Sequence, residues 1–275
     1  MKIVIKIGTQ AILATDGTIL ENTVSAVTEQ IAKLQQIGHN IVLVSSGAVG
    51  SGRKVARELL GQEYDTFIEK KQLLASFGQH ELMHVYAKMF KMRGMLTAQL
   101  LFTKQDFQTK KCYLSIANLL KEGLEHKNIV PVINESDSIA IEDSMFTDND
   151  ELAGLIAAQL NVDKLIILTS IKGVYNGHPN NPNAKLITVI DPQKECWPEV
   201  SDTKSTHGRG GMISKLKIAQ LMSNLGITTH IVSIHEQNAI IKIINGEQLG
   251  TTILPSRQNA TLRNEESSKR GSKIG

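Results

Sequence analysis

Cysteine is scarce in this sequence. Cys112 and Cys196 are the only two in 275 residues, far apart and in no CxxC or histidine-spaced arrangement. That excludes a disulfide framework and a thiolate metal site, and it reads as two reduced, structural thiols in a cytoplasmic protein. Aromatic residues make up only 4%, a poor supply for a surface that stacks bases, so no nucleic-acid partner is expected. Long apolar runs are missing as well. The N-terminal Met1–Ile7 stretch is interrupted by Lys6 and reads as a first strand, not a leader. No run is long enough to span a bilayer, so no membrane association is expected. The charge is mild too: +3, with a pI near 8.7, fits local cations near an anionic ligand as readily as anything else.

What is present is aliphatic. Hydrophobic residues reach 41%, carried by Ile, Leu, Val and Ala, the composition of buried parallel strands covered by helices. Strand-like and helix-like stretches alternate along the chain. Strands are expected at 1–7, 40–45, 97–102, 128–133, 163–169, 229–234 and 250–254. Helical spacing occupies 21–37, 68–93, 114–127, 151–160 and 212–225, and a glycine-rich turn follows the second strand. The alternation predicts an α/β fold with a largely parallel sheet and helices on both faces. Ligands of such sheets sit beyond the C-terminal ends of the strands. A turn-rich loop occupies 176–183, and the tail 258–275 reads as polar and flexible.

Four strand ends carry the residues of interest. At the first, Lys6 lies in an apolar strand before Gly8; it is either an edge lysine reaching solvent or a cation delivered to a ligand. The second, Ser45-Ser46-Gly47-Ala48, is either an ordinary helix cap or a backbone cradle for a carboxylate or phosphate. At the third, Asn134-Glu135-Ser136-Asp137 and Thr147-Asp148-Asn149-Asp150 flank one loop. They offer acceptors for an ammonium and carboxylates that could align lysines or organise Mg²⁺, beside the plainer reading of a helix cap. The fourth, from His207 through Gly208, Arg209, Gly210 and Gly211 to Lys215, opens a helix with glycines and a first-turn lysine, the composition of a phosphate cradle.

Several standard motifs are excluded. Leu216 follows Lys215 and no glycine directly precedes that lysine, so this is not a Walker A loop. The Gly47–Gly52 run has the wrong spacing for a dinucleotide fingerprint, which disfavours a dehydrogenase. No HExxH, EF-hand or paired Cys/His metal site occurs, and the eight histidines are scattered.

Together the segments KIGTQ (6–10), VSSGAVGSGR (44–53), KQLLASFGQ (71–79), PVINESD (131–137), TDNDELA (147–153), LIILTSIKGVY (165–175) and GRGGMISKL (208–216) resemble the amino-acid-kinase family, and within it the glutamate 5-kinase group. The resemblance covers nearly the whole chain to about Leu254. It implies a three-layer αβα sandwich over residues 1–257, with an amino-acid half and a nucleotide half. It implies Lys6 and Lys215 as the transition-state lysines and Asp150 as the residue that holds them. Ser46, Gly47, Asp137, Asp148 and Asn149 would contact L-glutamate. Lys6, Gly8, Thr169, Ser170, Arg209, Gly210, Gly211, Met212, Ile213, Ser214 and Lys215 would line the ATP site.

The implied reaction is transfer of the ATP γ-phosphoryl group to the glutamate side-chain carboxylate, the first step of proline synthesis. Mg²⁺ would ride mainly on the ATP phosphates, so no protein metal ligand is assigned. Proline as feedback inhibitor, glutamyl phosphate reductase as the enzyme receiving the reactive product, and a homo-oligomeric state follow from the same resemblance. The sequence departs from the family pattern at Ser170 and Arg209, which bears on nucleotide contacts, and at Ser136 and Thr147, which bears on proline sensitivity. The C-terminal PUA-type domain of many members is not expected. Two other readings stay open here: a kinase of the same fold for another small carboxylate or phosphate acceptor, and a non-catalytic nucleotide- or amino-acid-binding regulator.

Overall fold

The computed structural model describes residues 1–61, 68–139, 145–179, 181–193, 197 and 211–256. The chain runs β1 (Lys2–Ile7), a one-turn α1 (Thr9–Ile12), α2 (Glu21–Gln36), β2 (Asn40–Ser45), α3 (Ala48–Leu60) and α4 (Ile68–Lys91). β3 (Leu96–Phe102), α5 (Lys110–Glu125), β4 (Ile129–Glu135), α6 (Asn149–Leu160) and β5 (Lys164–Thr169) follow. After the short strands β6 (Val174–Tyr175), β7 (Leu186–Ile187) and β8 (Val189–Ile190) come α7 (Met212–Asn224), β9 (Thr228–Ser233), α8 (Ala239–Ile244) and β10 (Thr251–Ile253).

Eight strands form one sheet in the order β3-β4-β2-β1-β5-β9-β10-β8, while β6 and β7 make a separate antiparallel pair. All pairings in the large sheet are parallel except β10 on β9. One face carries a core in which Val24, Ile31, Leu82, Tyr86 and Ile240 of α2, α4 and α8 meet Ile3, Ile5 and Ile7 of β1. On the other face Leu120, Leu152, Ile156, Leu216 and Ala219 of α5, α6 and α7 meet Val4, Val44 and Ile167. Successive strand residues point to opposite faces, so both faces of β1 must be apolar, and only Lys6 breaks its run. The expected α/β fold with a largely parallel central sheet flanked by helices is what the chain adopts.

Beyond the one-turn α1 and the two-residue strands β6, β7 and β8, two elements differ from expectation. The segment after β2 is not just a turn but a 13-residue helix, α3. It crosses α4 so closely that a Cβ on Gly52 would lie 1.8 Å from the Leu74 carbonyl oxygen, and one on Gly78 1.7 Å from that of Ala48. Only glycine permits this approach, and tertiary contact compensates for the glycine content of α3. The second, α8, had no strong local signal. Cys112 is exposed on α5, so it packs into no core and does not hold the structural place expected for it. Cys196, the tail 258–275 and the boundary at 257 lie outside the described residues. Among the described residues, no helix is long and apolar enough to cross a membrane.

Sheet order reverses between β1 and β5: β2, β4 and β3 lie to one side, β5 and β9 to the other. The crevice beyond the C-terminal ends of these strands is where such sheets bind ligands. At the opposite ends of the strands, His230 is buried against Lys164. Its Nε2 lies 3.3 Å from the Lys164 ammonium and its Nδ1 3.2 Å from Thr252 Oγ1. An ammonium only donates, so Nε2 accepts and Nδ1 carries the proton. Burial, with Lys164 adding to it, pushes the His230 pKa down to about 3.

The unfolded chain, with a histidine near 6.5, therefore binds an extra proton between about pH 6.5 and 3, and the fold weakens as pH falls through that window. His230→Asn is expected to flatten this acid limb by roughly 1 kcal/mol per pH unit. Urea unfolding at pH 7 and pH 4.5 checks it; parallel pH dependences in the two proteins would contradict it.

Candidate functional site

Three residues far apart in sequence meet at the crevice. Lys6 is the fifth residue of β1, Asp150 lies in the first turn of α6, and Lys215 in the first turn of α7. The Lys6 ammonium is 2.7 Å from one oxygen of Asp150, and the Lys215 ammonium is 3.0 Å from the other. Asp150 is fully buried, and the lysines are 4% and 8% exposed. Lys6 is therefore no snorkelling edge lysine, because β1 lies in the interior of the sheet.

Burial pushes the Asp150 pKa up, but the charges and hydrogen bonds of the two lysines outweigh burial and hold it below the usual carboxylate range. Burial lowers the Lys6 pKa; Asp150 opposes that, and the like charge of Lys215 adds to it. Two buried ammoniums thus share a single carboxylate, an arrangement that favours the arrival of a further anion.

Local structure fixes the start of α6. Asp148 is its cap: Oδ1 accepts from the backbone N–H of Asp150, 2.8 Å, and of Glu151, 3.1 Å. A carboxylate at this end also complements the helix dipole. Asp148 is thus committed to the helix through one oxygen, while Oδ2 is buried without a hydrogen-bond partner. The approach to α6 is held by Glu151, which accepts from the Thr147 backbone N–H at 2.8 Å and pairs with Lys104 at 2.8 Å.

Beside the charged trio lies an amide and hydroxyl network. Asn149 Nδ2 donates to Ser46 Oγ at 2.9 Å and to Asn134 Oδ1 at 2.8 Å. Asn134 Nδ2 in turn donates to Gln79 Oε1, 2.8 Å. Both Asn149 amide protons are thereby used, and its Oδ1 is a buried acceptor with no partner. Gly47 has φ +118°, a left-handed conformation that glycine adopts without strain, and it turns the chain from β2 into α3. No side chain caps α3, so its first backbone N–H groups have no such partner.

A cavity of about 300 Å³ adjoins this network, walled by Ala48, Gln79, His80, Gln99, Glu135 and Asp137 among others. The structure therefore brings Ser46, Gly47 and Asn149 to one cluster, with Asp137 in the cavity wall.

After β1, the Gly8 N–H donates to the Leu168 carbonyl at 3.3 Å. A Cβ at Gly8 would stand 3.8 Å from the Lys6 ammonium, an ordinary contact within the protein but an occupant of the space next to that charge. Thr169 closes β5, Ser170 follows it, and both are half-buried. Gly211 opens α7 with no side-chain cap, and Met212, Ile213 and Ser214 form its first turn with Lys215. Arg209 and Gly210 lie outside the described residues.

Sequence reasoning assigned no role to Gln79, and Asn134 entered only as the first residue of the Asn134–Asp137 cluster. What their sequence does not reveal is that α4 and β4 place them side by side.

Residues 1–233 match the amino acid kinase family. The glutamate 5-kinase of Chlorobaculum tepidum is 40% identical over 93% of this chain and 70% of its own length. That of Bacteroides thetaiotaomicron is 36% identical over 94% of this chain and 71% of its own. The Delta-1-pyrroline-5-carboxylate synthase 1 of Oryza sativa subsp. japonica is 36% identical over 95% of this chain and 38% of its own length. The likeness runs through the strands and loops that assemble the crevice, and the chain belongs to the amino acid kinase family.

Proposed function

We propose that this chain transfers the γ-phosphoryl group of ATP to the side-chain carboxylate of L-glutamate, giving γ-glutamyl phosphate, the first step of proline biosynthesis. The observation that carries the reading is Asp150 holding two buried lysines from separate segments, next to the Asn149–Ser46 clamp and its cavity. Glutamate's side chain, with a pKa of about 4.3, is already ionised at neutral pH and needs no general base. What the reaction needs is alignment of two anions and cancellation of charge as they close.

Lys6 and Lys215 supply that cancellation from two sides, and Asp150 fixes both ammoniums. The amino-acid half presents Ser46, the Gly47 N–H and the unpartnered Asn149 Oδ1, with Asp137 facing the substrate ammonium from the cavity wall. The nucleotide half presents Gly8, Thr169, Ser170 and the uncapped start of α7, with Arg209 and Gly210 on the loop before it.

Mg²⁺ would arrive on the ATP phosphates. Among the described residues no three His, Cys, Asp or Glu side chains cluster to hold an ion by themselves. The buried, unpartnered Asp148 Oδ2 fits an ion that keeps most of its ligands from phosphate and water. When bound, the ion would neutralise charge on the β- and γ-phosphates. Proline inhibition at the glutamate cavity, a homo-oligomer, a cytoplasmic location and passage of the acyl phosphate to glutamyl phosphate reductase belong to the same proposal.

ADP release with glutamate, aspartate, acetylglutamate, carbamate or UMP as acceptor tests the substrate. Turnover is expected with glutamate alone; preference for another acceptor would overturn the substrate assignment. Asp137→Ala is expected to raise the glutamate KM about tenfold or more, the loss of a charged hydrogen bond, and to leave the ATP KM within about twofold. An unchanged glutamate KM would remove Asp137 from the binding site.

A further inference from the structure

Tyr86 lies in the middle of α4 and is completely buried, its ring stacked on Phe90 with centroids 6.3 Å apart. A phenol placed there needs a partner for its hydroxyl. That partner is Ser45 Oγ at 2.9 Å, and Ser45 Oγ in turn donates to the Ser46 carbonyl oxygen, 3.1 Å away. A serine hydroxyl has one proton. Since Ser45 gives it to the carbonyl, Tyr86 must be the donor to Ser45. Burial keeps the phenol protonated far above neutral pH, despite the opposing bond to Ser45, so this donor is always present.

A directed chain therefore runs from Tyr86 through Ser45 to the Ser46 carbonyl. In a trans peptide the carbonyl and the following N–H point in opposite directions. Tying the Ser46 carbonyl toward α4 turns the Gly47 N–H away from Tyr86. The Ser46 hydroxyl, one atom group along, is the one that accepts from Asn149. Seven residues before Tyr86 and on the same side of α4, Gln79 holds Asn134, which accepts from Asn149. One helix face thus supports the clamp at two points, and Tyr86 is the hidden one.

We infer that Tyr86 is a positioning residue for the amino-acid substrate: its hydroxyl, through Ser45, sets the plane of the Ser46–Gly47 peptide and so the aim of the groups that bind glutamate. It touches no substrate itself. The inference rests on the proposed glutamate site, and the two can fail separately.

Tyr86→Phe removes one oxygen and keeps the ring. The expected result is a glutamate KM raised about five- to tenfold, the range of one lost hydrogen bond, with kcat and the ATP KM within about twofold. Ser45→Ala, which cuts the chain at its middle, is expected to match it and to stand in for Tyr86→Phe if that variant fails to fold. Ser45→Thr, which keeps a hydroxyl, is expected to restore a near-normal KM. Phe90→Leu controls for lost packing: it should lower the melting temperature without moving the glutamate KM. An unchanged glutamate KM in both Tyr86→Phe and Ser45→Ala, or a fall in kcat alone, overturns the positioning role and leaves the glutamate site standing. An unaltered protein that turns over no glutamate overturns both.

Discussion

Replacing Lys215 by alanine is expected to lower kcat by about 10²–10³-fold while glutamate still binds, because a donor aimed at charge developing on the transferring phosphoryl group acts mainly in the transition state. The ammonium belongs to the first turn of α7 and lies 3.0 Å from Asp150. The amide and hydroxyl cluster around Asn149 does not include it. Calorimetric titration with glutamate should therefore give nearly the same affinity in the variant as in the unaltered protein, alongside the collapse in turnover. Near-normal turnover would remove Lys215 from the mechanism. Equal loss of glutamate binding would move it to the amino-acid half.

Asp150→Asn is expected to be the more damaging change, because it affects chemistry and fold together. The asparagine keeps the shape but leaves the two buried ammoniums without the carboxylate that pairs with both. Breaking a buried ion pair in this way costs about 3–5 kcal/mol. In a chain of this size that corresponds to a fall in melting temperature on the order of 10 °C. Since neither lysine would be held, kcat should fall at least as far as in the Lys215 variant. Scanning calorimetry and steady-state kinetics on one preparation read both effects. Loss of activity with an unchanged melting temperature would mean that the trio does not carry the fold. Unchanged activity would mean that Asp150 does not organise the lysines.

The architecture could be read from the sequence wherever apolar periodicity reports burial directly. The run NIVLVS gave β2 at the positions observed, 40–45, since both its faces are covered and its central residues, Ile41 to Val44, had to be apolar. α3 could not be read that way. Gly50 and Gly52 lower its intrinsic preference for helix, and the reasons they are there lie in other elements: Gly52 meets the backbone of α4 at Leu74, and Gly50 meets the Leu13 side chain. α8 is harder still. Its sequence AIIKII is rich in β-branched residues, and the N–H of Ile240 is taken by Gln30 Oε1 at 2.9 Å, from a helix more than 200 positions earlier. A local window holds no trace of that bond.

The site divides in the same manner. Lys6, Asp150 and Lys215 sit in locally noticeable segments, a lysine in an apolar strand, an acidic helix start and a glycine-opened helix. Each has a plainer local reading, and it is the family resemblance that names them together before their meeting point is known. Gln79 and Tyr86 are locally ordinary. Gln79 is a polar residue on a helix, and Tyr86 is an aromatic at a core position. Their place in the site depends on the glycine-lined crossing of α3 and α4, which sets α4 against the start of α3. Asp148 combines the two local readings, cap and ligand contact. One of its oxygens caps α6, which its place ahead of Asn149 and Asp150 already permitted, so only Oδ2 remains for any other partner.

The most direct measurement is the yield of γ-glutamyl hydroxamate against ADP, with hydroxylamine present to trap an acyl phosphate, using purified protein, ATP, Mg²⁺ and glutamate. One hydroxamate for each ADP, lost in parallel when Lys215 is replaced, is the expected result. ADP release without hydroxamate, or hydroxamate formation unaffected by that replacement, would contradict phosphoryl transfer to the glutamate carboxylate by the Lys6–Asp150–Lys215 trio.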